Sequence, residues 1–239
     1  LQNQPDITGV VEKTDHLKTV NLALELHPNA ENVFVIVDRT TTGIILREQL
    51  DTAIAGNLIR PVDIVYLDDI TISDMEDRLQ ELSRDDIVYL MTFHRDKNNR
   101  TFATEEIAQR VSHASPAPVY ATGYEYLGLG VVGGYLNWGY KQGETAAALA
   151  ARILKGEDAD TIPVRTQSLT PPIFDYDEMR PFGLRVLDLP PDTIVVNQPE
   201  SFYKKYRVWI WGTVIESLLL VVLMINWVMR LRREERLRQ

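Results

Sequence analysis

Apolar residues in this chain gather into short unbroken runs, separated by stretches in which they recur every three or four positions. VFVIVD (33–38), VDIVYLD (62–68), DIVYLMT (86–92) and PVYA (118–121) are rich in β-branched and aromatic residues, as strands buried on both faces are. Between them, Leu17, Val20 and Leu24 mark one side of a helix that stops before Pro28. Ser73 and Glu76 have the spacing of a capping box, which predicts a helix running through Leu82. Gly139 to Leu154 is alanine-rich and closes on Lys155-Gly156, a helix stop. Strand–helix units repeated at this length predict an α/β fold, a doubly wound parallel sheet with helices on both faces. Residues 170–200 hold six of the twelve prolines and read as a strap rather than as regular structure.

The pattern then changes. Residues 208–229, VWIWGTVIESLLLVVLMINWVM, are apolar but for a few positions, and RLRREERLRQ follows directly. As a helix, such a run rises about 33 Å, enough to cross a hydrocarbon core of roughly 30 Å. Trp209, Trp211 and Trp227 fall near its ends, where amphipathic rings favour the headgroup zone. A single transmembrane helix is therefore expected at 208–229. Arg230, Arg232, Arg233, Arg236 and Arg238 follow it, against Lys204, Lys205 and Arg207 before it. The positive-inside rule then favours a cytoplasmic C-terminus. Glu216 and Asn226 within the span read as helix-pairing contacts, since one span cannot enclose a transport path.

Charge narrows the function classes. Taking the tail's five arginines and two glutamates from the chain's 25 basic and 34 acidic residues leaves a net charge of −12 before the tail. So acidic a domain lacks the basic surface that nucleic-acid binding needs. The chain has no cysteine, which excludes disulfides and thiolate metal sites. Leu1 is not an initiator, and no charged segment with an apolar signal core precedes the first folded segment; the tail stops inside a helix-favouring run. The expectation is a longer protein.

In a doubly wound sheet, ligands meet the loops at the carboxyl ends of the strands. Asp38-Arg-Thr-Thr-Thr-Gly43 follows the first strand and opens a helix, so Thr40, Thr41 and Thr42 either hold an anion or simply cap that helix. Asp68-Asp69 lies at the same edge, whereas Asp85-Asp86 begins a strand and faces the opposite one. Thr92-Phe-His-Arg-Asp96 opens a polar loop after the third strand, and YATGYEY (120–126) follows the fourth. Gly128-Leu-Gly-Val-Val-Gly133 matches a dinucleotide fingerprint by letter, but it lacks the strand-to-helix setting the fingerprint requires. The four histidines lack metal-ligand spacing, and neither a P-loop nor a G-x-S-x-G motif is present. No catalytic constellation, metal site or cofactor site is expected.

Together, GVVEKTDHLKTVNLALELHPNAENVFVIVDRTTTG, VYLMTFHRD, SPAPVYATGYEYLGLGVVGG and GYKQGETAAALAARILKGEDADTIPV resemble the ABC-transporter substrate-binding-like family, which are type I periplasmic binding proteins. With FDYDEMRPFGL, LPPDTIVVNQPESFYKKY and an immediate span, the chain looks like the extracytoplasmic sensor region of bacterial membrane receptors. In such receptors it precedes a histidine kinase, often through PAS modules, or a diguanylate cyclase. The resemblance covers residues 9–230 and implies a region truncated at both ends.

That resemblance implies two α/β lobes joined by three crossovers, with a small-molecule ligand between them. Residues 9–125 would supply most of the second lobe, 131–167 would cross to the first, and 172–187 would return; most of the first lobe would precede Leu1. The implied domains are an extracytoplasmic ligand-sensing domain at 1–187, a juxtamembrane linker at 188–207, the transmembrane helix at 208–229 and the start of a cytoplasmic signalling helix at 230–239. Ligand-binding residues by family position are Thr40, Thr41, Thr42, Phe93, His94, Tyr124 and Glu125. The expected function is small-molecule sensing and transmembrane signal transduction in the bacterial inner membrane, as a homodimer paired through its transmembrane and signalling helices. The alternative is a membrane-tethered substrate-binding component of an ABC importer, and a membrane-anchored enzyme is a third, weaker reading.

Overall fold

The computed structural model describes residues 5–166, 170–200 and 202–237. The chain divides into two units, Leu1–Asn197 and Gln198–Gln239. In the first, α1 (His16–Leu26), β1 (Asn32–Val37), α2 (Thr41–Ile54), β2 (Asp63–Leu67), α3 (Ile72–Gln80), β3 (Ile87–Thr92), α4 (Thr104–Ala114) and β4 (Val119–Ala121) alternate as the apolar runs predict. After them come β5 (Gly133–Gly134), α5 (Gly139–Leu154), β6 (Ile173–Asp175), α6 (Tyr176–Met179) and β7 (Ile194–Val196). The strands form a seven-stranded sheet in the order β2-β1-β3-β4-β5-β6-β7. Every neighbouring pair is parallel except β5 with β6.

Period-two alternation sorts the core onto the two faces. Phe34 and Ile36 of β1, with Val88 and Leu90 of β3, pack with Met75 and Leu79 of α3 and Ile107 and Val111 of α4. Val33, Val35 and Val37, with Ile87, Tyr89 and Met91, pack with Val20, Ala23 and Leu24 of α1 and Leu50 of α2. Both faces are covered, which is why these strands are apolar without a break.

Three expectations need correction. The cap of α3 is Thr71, not Ser73: the Thr71 hydroxyl accepts from Asp74 N–H at 3.2 Å, two residues before the S-x-x-E spacing, and the helix stops at Gln80. The sheet is mixed, because residues 170–200 do not merely strap the domain; they carry β6 and β7, and β6 runs antiparallel to β5. Residues 194–196, expected in the linker, are the strand β7. Gly133 lets the chain enter this half of the sheet. Its φ is +146°, and a Cβ there would sit 2.2 Å from the Ile173 carbonyl oxygen. The last glycine of the fingerprint-like run thus serves strand packing.

The second unit is one helix, α7 (Phe202–Leu237), 36 residues long. Lys205–Arg230 is long and apolar enough to cross a membrane, and its apolar side chains are exposed. The hydroxyls of Thr213 and Ser217 donate to the carbonyls of Ile210 and Thr213 at 2.9 and 2.8 Å, which satisfies both within the helix. Trp211 Nε1 donates to the Tyr203 hydroxyl at 3.0 Å near one end. Arg238 and Gln239, part of the expected signalling helix, lie outside the described residues.

Candidate functional site at the carboxyl edge

β1, β3 and β4 are parallel neighbours, so the loops after them meet at one edge. The carboxylate of Asp38, at the end of β1, ties two of these loops together. It is 2% exposed. One oxygen accepts from Thr40 N–H at 3.0 Å and from the Thr40 hydroxyl at 2.5 Å. The other accepts from the backbone N–H groups of His94 and Arg95 at 2.7 and 3.3 Å. A buried carboxylate is stable when several donors converge on it, and here the donors come from both loops.

The residues expected to bind ligand divide by what they already do. Thr40 caps α2, its oxygen accepting from Gly43 N–H at 3.2 Å. Gly43 is required there, since a Cβ would collide with the Asp38 carbonyl. Phe93 is 1% exposed and packs against Phe102, so it supports the edge from beneath. Thr41, Thr42, His94 and Glu125 are exposed. Of the first-turn N–H groups of α2, those of Gly43 and Ile44 are taken by the Thr40 side chain and carbonyl. Those of Thr41 and Thr42 face the helix entrance with no intrahelical acceptor. Tyr124 is half-buried and stacks on Trp138, with ring centroids 5.0 Å apart and planes 10° from parallel.

Trp138 was not legible as a site residue, because its partner lies fourteen positions earlier in the sequence. It sits just before α5 because Asn137 pairs with the end of β4: Asn137 N–H donates to the Thr122 carbonyl at 2.7 Å, and Tyr124 N–H to the Asn137 carbonyl at 3.0 Å. Two arginines also went unmarked. A cavity of about 370 Å³ at this edge is lined by Asp38, Arg39, Ile44, Arg47, Glu48, Asp51 and Asp68. Arg39 lies 3.5 Å from both Asp68 and Asp69, and Arg47 pairs with Asp68. The Arg47 guanidinium lies 4.0 Å over the Tyr66 ring. Burial raises the Tyr66 phenol's pKa, and the Asp51 carboxylate that accepts its O–H raises it further. These cations are engaged by carboxylates, yet a ligand anion could compete for them at the rim.

Elsewhere, Asp6, Asp158 and Asp160 bring three carboxylates together, all exposed. Two of them already accept from backbone N–H groups of this cluster: Asp158 from Asp160, and Asp160 from Asp6.

No family model matches the chain, and no curated protein matches it. Solved structures do. A ligand-free, open substrate-binding protein with adhesive properties from Clostridium difficile matches with a TM-score of 0.64 at 18% identity, covering 83% of this chain and 66% of that one. A conserved domain protein from Vibrio cholerae O1 biovar El Tor matches with a TM-score of 0.54 at 18% identity, covering 79% and 62%. The ABC domain from Streptococcus pneumonia in complex with L-Trp matches with a TM-score of 0.54 at 13% identity, covering 78% and 64%. The chain thus has the fold of substrate-binding proteins, and it spans somewhat under two thirds of the length of these structures.

Proposed function

We propose that residues 1–197 form an extracytoplasmic domain that binds a small molecule at the carboxyl edge, and that α7 carries the bound state across the bacterial inner membrane to a histidine kinase or diguanylate cyclase. Fold alone does not assign function; the support lies in how the edge and the helix are built. At the edge, the Thr41 and Thr42 N–H groups, the exposed hydroxyls beside them and the rim arginines suit an anionic group, while the Tyr124–Trp138 stack offers an aromatic face. The L-Trp complex of the pneumococcal domain fits this reading of a small-molecule binder.

The cleft needs a second wall. Residues 139–154 support one: α5 buries only Leu149, leaving Tyr140, Ile153 and Leu154 exposed, while Val10 and Arg165 pair as parallel crossing segments. The expected crossover at 131–167 starts later than that, since β5 (Gly133–Gly134) pairs with β4 and β6 and Val131, Val132 and Leu136 lie in the core of this sheet; in this reading only the segment from α5 onward, 139–167, belongs to a first lobe that closes over the edge.

The observation that favours a sensor over an importer tether is the unbroken course of α7. It extends from Phe202 to Leu237, beyond the apolar stretch that ends at Arg230. A tether needs no helix past the membrane. A signal needs a helix with two arrangements that ligand populates unequally, and a homodimer of α7 with a cytoplasmic C-terminus supplies them. In the complete receptor, four glycines inserted after Met229 should abolish ligand-dependent output while leaving ligand affinity within about twofold. Full ligand-dependent output from that insertion would favour the tether.

A further inference from the structure

The helix α7 presents two sides of unlike chemistry. Gly212, Glu216, Leu219, Leu223 and Asn226 follow one another at alternating intervals of four and three. On a helix unbroken from Phe202 to Leu237, that spacing places them on a single stripe. Val214, Leu218, Val221 and Ile225 repeat the spacing on the opposite side, and all four are aliphatic. Every one of these positions is exposed. The polar groups in the middle of the span also differ in what they need. The hydroxyls of Thr213 and Ser217 are satisfied by the carbonyls of Ile210 and Thr213, whereas Glu216 and Asn226 have no hydrogen-bond partner among the described residues.

Hydrocarbon offers no partner to a carboxyl or an amide, so such side chains turn to protein. Copies of one chain inserted alike run parallel, and a two-fold axis along the helices sets each residue beside its own copy at the same depth. Asn226 then meets Asn226, and each amide can donate to the carbonyl oxygen of the other. Glu216 meets Glu216, and two carboxyl groups at close range hold one proton between them rather than two charges. Both pairs form together because the two residues share a stripe. A partner of another sequence would need polar groups at both depths; a second copy has them by identity. Gly212 points the same way. Glycine inside a helix costs stability relative to alanine, yet a Cβ there would meet nothing within 4 Å. The lone helix gains nothing from the missing side chain, whereas a second helix uses the gap to approach closely, one turn from Glu216.

We propose that α7 binds a second copy of itself along the stripe of Gly212, Glu216, Leu219, Leu223 and Asn226, parallel and in register, with the side of Val214, Leu218, Val221 and Ile225 facing lipid. The pairing rests on the function proposed above, in which α7 crosses the membrane as a homodimer, and it names the surface that pairs. Alternation of four and three gives the two helices a left-handed crossing of about 20°.

The chain has no cysteine, so single cysteines report which residues face each other. The test oxidises the full chain in phosphatidylcholine bilayers. Leu219→Cys and Leu223→Cys are expected to cross-link about fivefold faster than Leu218→Cys and Val221→Cys, whose sulfurs would point away from the partner. Association is read separately, by energy transfer between labelled copies in the same bilayer. It is expected to weaken about fivefold in Asn226→Leu and in Glu216→Leu, and to hold in Glu216→Gln, which keeps a donor and an acceptor. Gly212→Leu should weaken it too, although leucine favours the helix itself. Cross-linking that is equal on both sides, or faster at Leu218→Cys and Val221→Cys, would overturn the stripe and leave a receptor paired by another surface. So would association unchanged in both Asn226→Leu and Glu216→Leu. Copies that neither cross-link at any of the four positions nor transfer energy would overturn the stripe and the α7 homodimer together, while ligand binding at the carboxyl edge would stand.

Discussion

Two buried aspartates sit at the ends of strands in different halves of the sheet, and they work on different scales. Asp38, after the six-residue β1, gathers donors from the loops after β1 and β3. Asp175, at the end of the three-residue β6, caps α6 by accepting from Asp177 N–H at 3.0 Å and accepts from Asn197 Nδ2 at 2.8 Å beyond β7. In the first half, long strands with covered faces fix the register by themselves, so the carboxylate is left to shape loops. In the second, two- and three-residue strands pair over few positions, and the side-chain clasp helps to hold the strands together. Both carboxylates are almost fully buried, at 2% and 1% exposed. What distinguishes them is what they tie.

Removing each clasp tests that contrast with the largest expected effect. Asp38→Ala strands several donors and should cost about 4 kcal/mol in urea unfolding, while Asp175→Ala strands fewer and should cost about 2 kcal/mol. Native-state hydrogen exchange separates the two further. The first change should expose the His94 and Arg95 amides, and the second those of β7. Matching exchange patterns from both variants would erase the distinction.

Acid sharpens the comparison from another side, because both depressed histidines flank the α1 face. His16 and His27 have pKa values lowered to about 4, chiefly by burial, and they pair with the Tyr89 and Tyr120 hydroxyls at 2.8 and 2.9 Å. Their unfolded forms take up protons near pH 6.5 and the folded forms only near 4. The stability contribution is therefore complete above about pH 6.5 and is lost as pH falls towards 4. The loss is expected to reach roughly 3 kcal/mol for His16, and less for the more exposed His27. Equilibrium unfolding across that window measures it; a flat profile would mean that the rings are already solvated.

The smallest effect concerns α3. Thr71→Ala should cost about 1 kcal/mol and Ser73→Ala close to nothing, since only the threonine oxygen accepts an N–H at the helix start. Thermal unfolding of the two variants ranks them.

How much of this could be read from the residues follows the same division. The strands at 32–37, 63–67, 87–92 and 119–121 and the helix Gly139–Leu154 are legible because long apolar runs and a Lys-Gly stop leave a pattern. Gly133–Gly134 and the three-residue strands β6 and β7 leave none, because pairing with distant neighbours, not local composition, makes them strands. The carboxyl edge was legible as a place, and capping by Thr40 was one of the two readings its spacing allows; the use of Phe93 as core was not legible, because it follows from how the loop folds Phe93 onto Phe102. His16 carried a local signal that went unread. It lies four and eight positions before Val20 and Leu24, on the apolar stripe of α1.

The Asp38 clasp has a mechanical consequence. Two loops that share one carboxylate cannot wander independently, so the edge is a stiff jaw rather than a pair of loose fingers. For the binding proposed at this edge, a pre-arranged host would lose less of the binding free energy to ordering. The same stiffness lets a tug on the Thr40 loop be felt at His94 without a change in any strand.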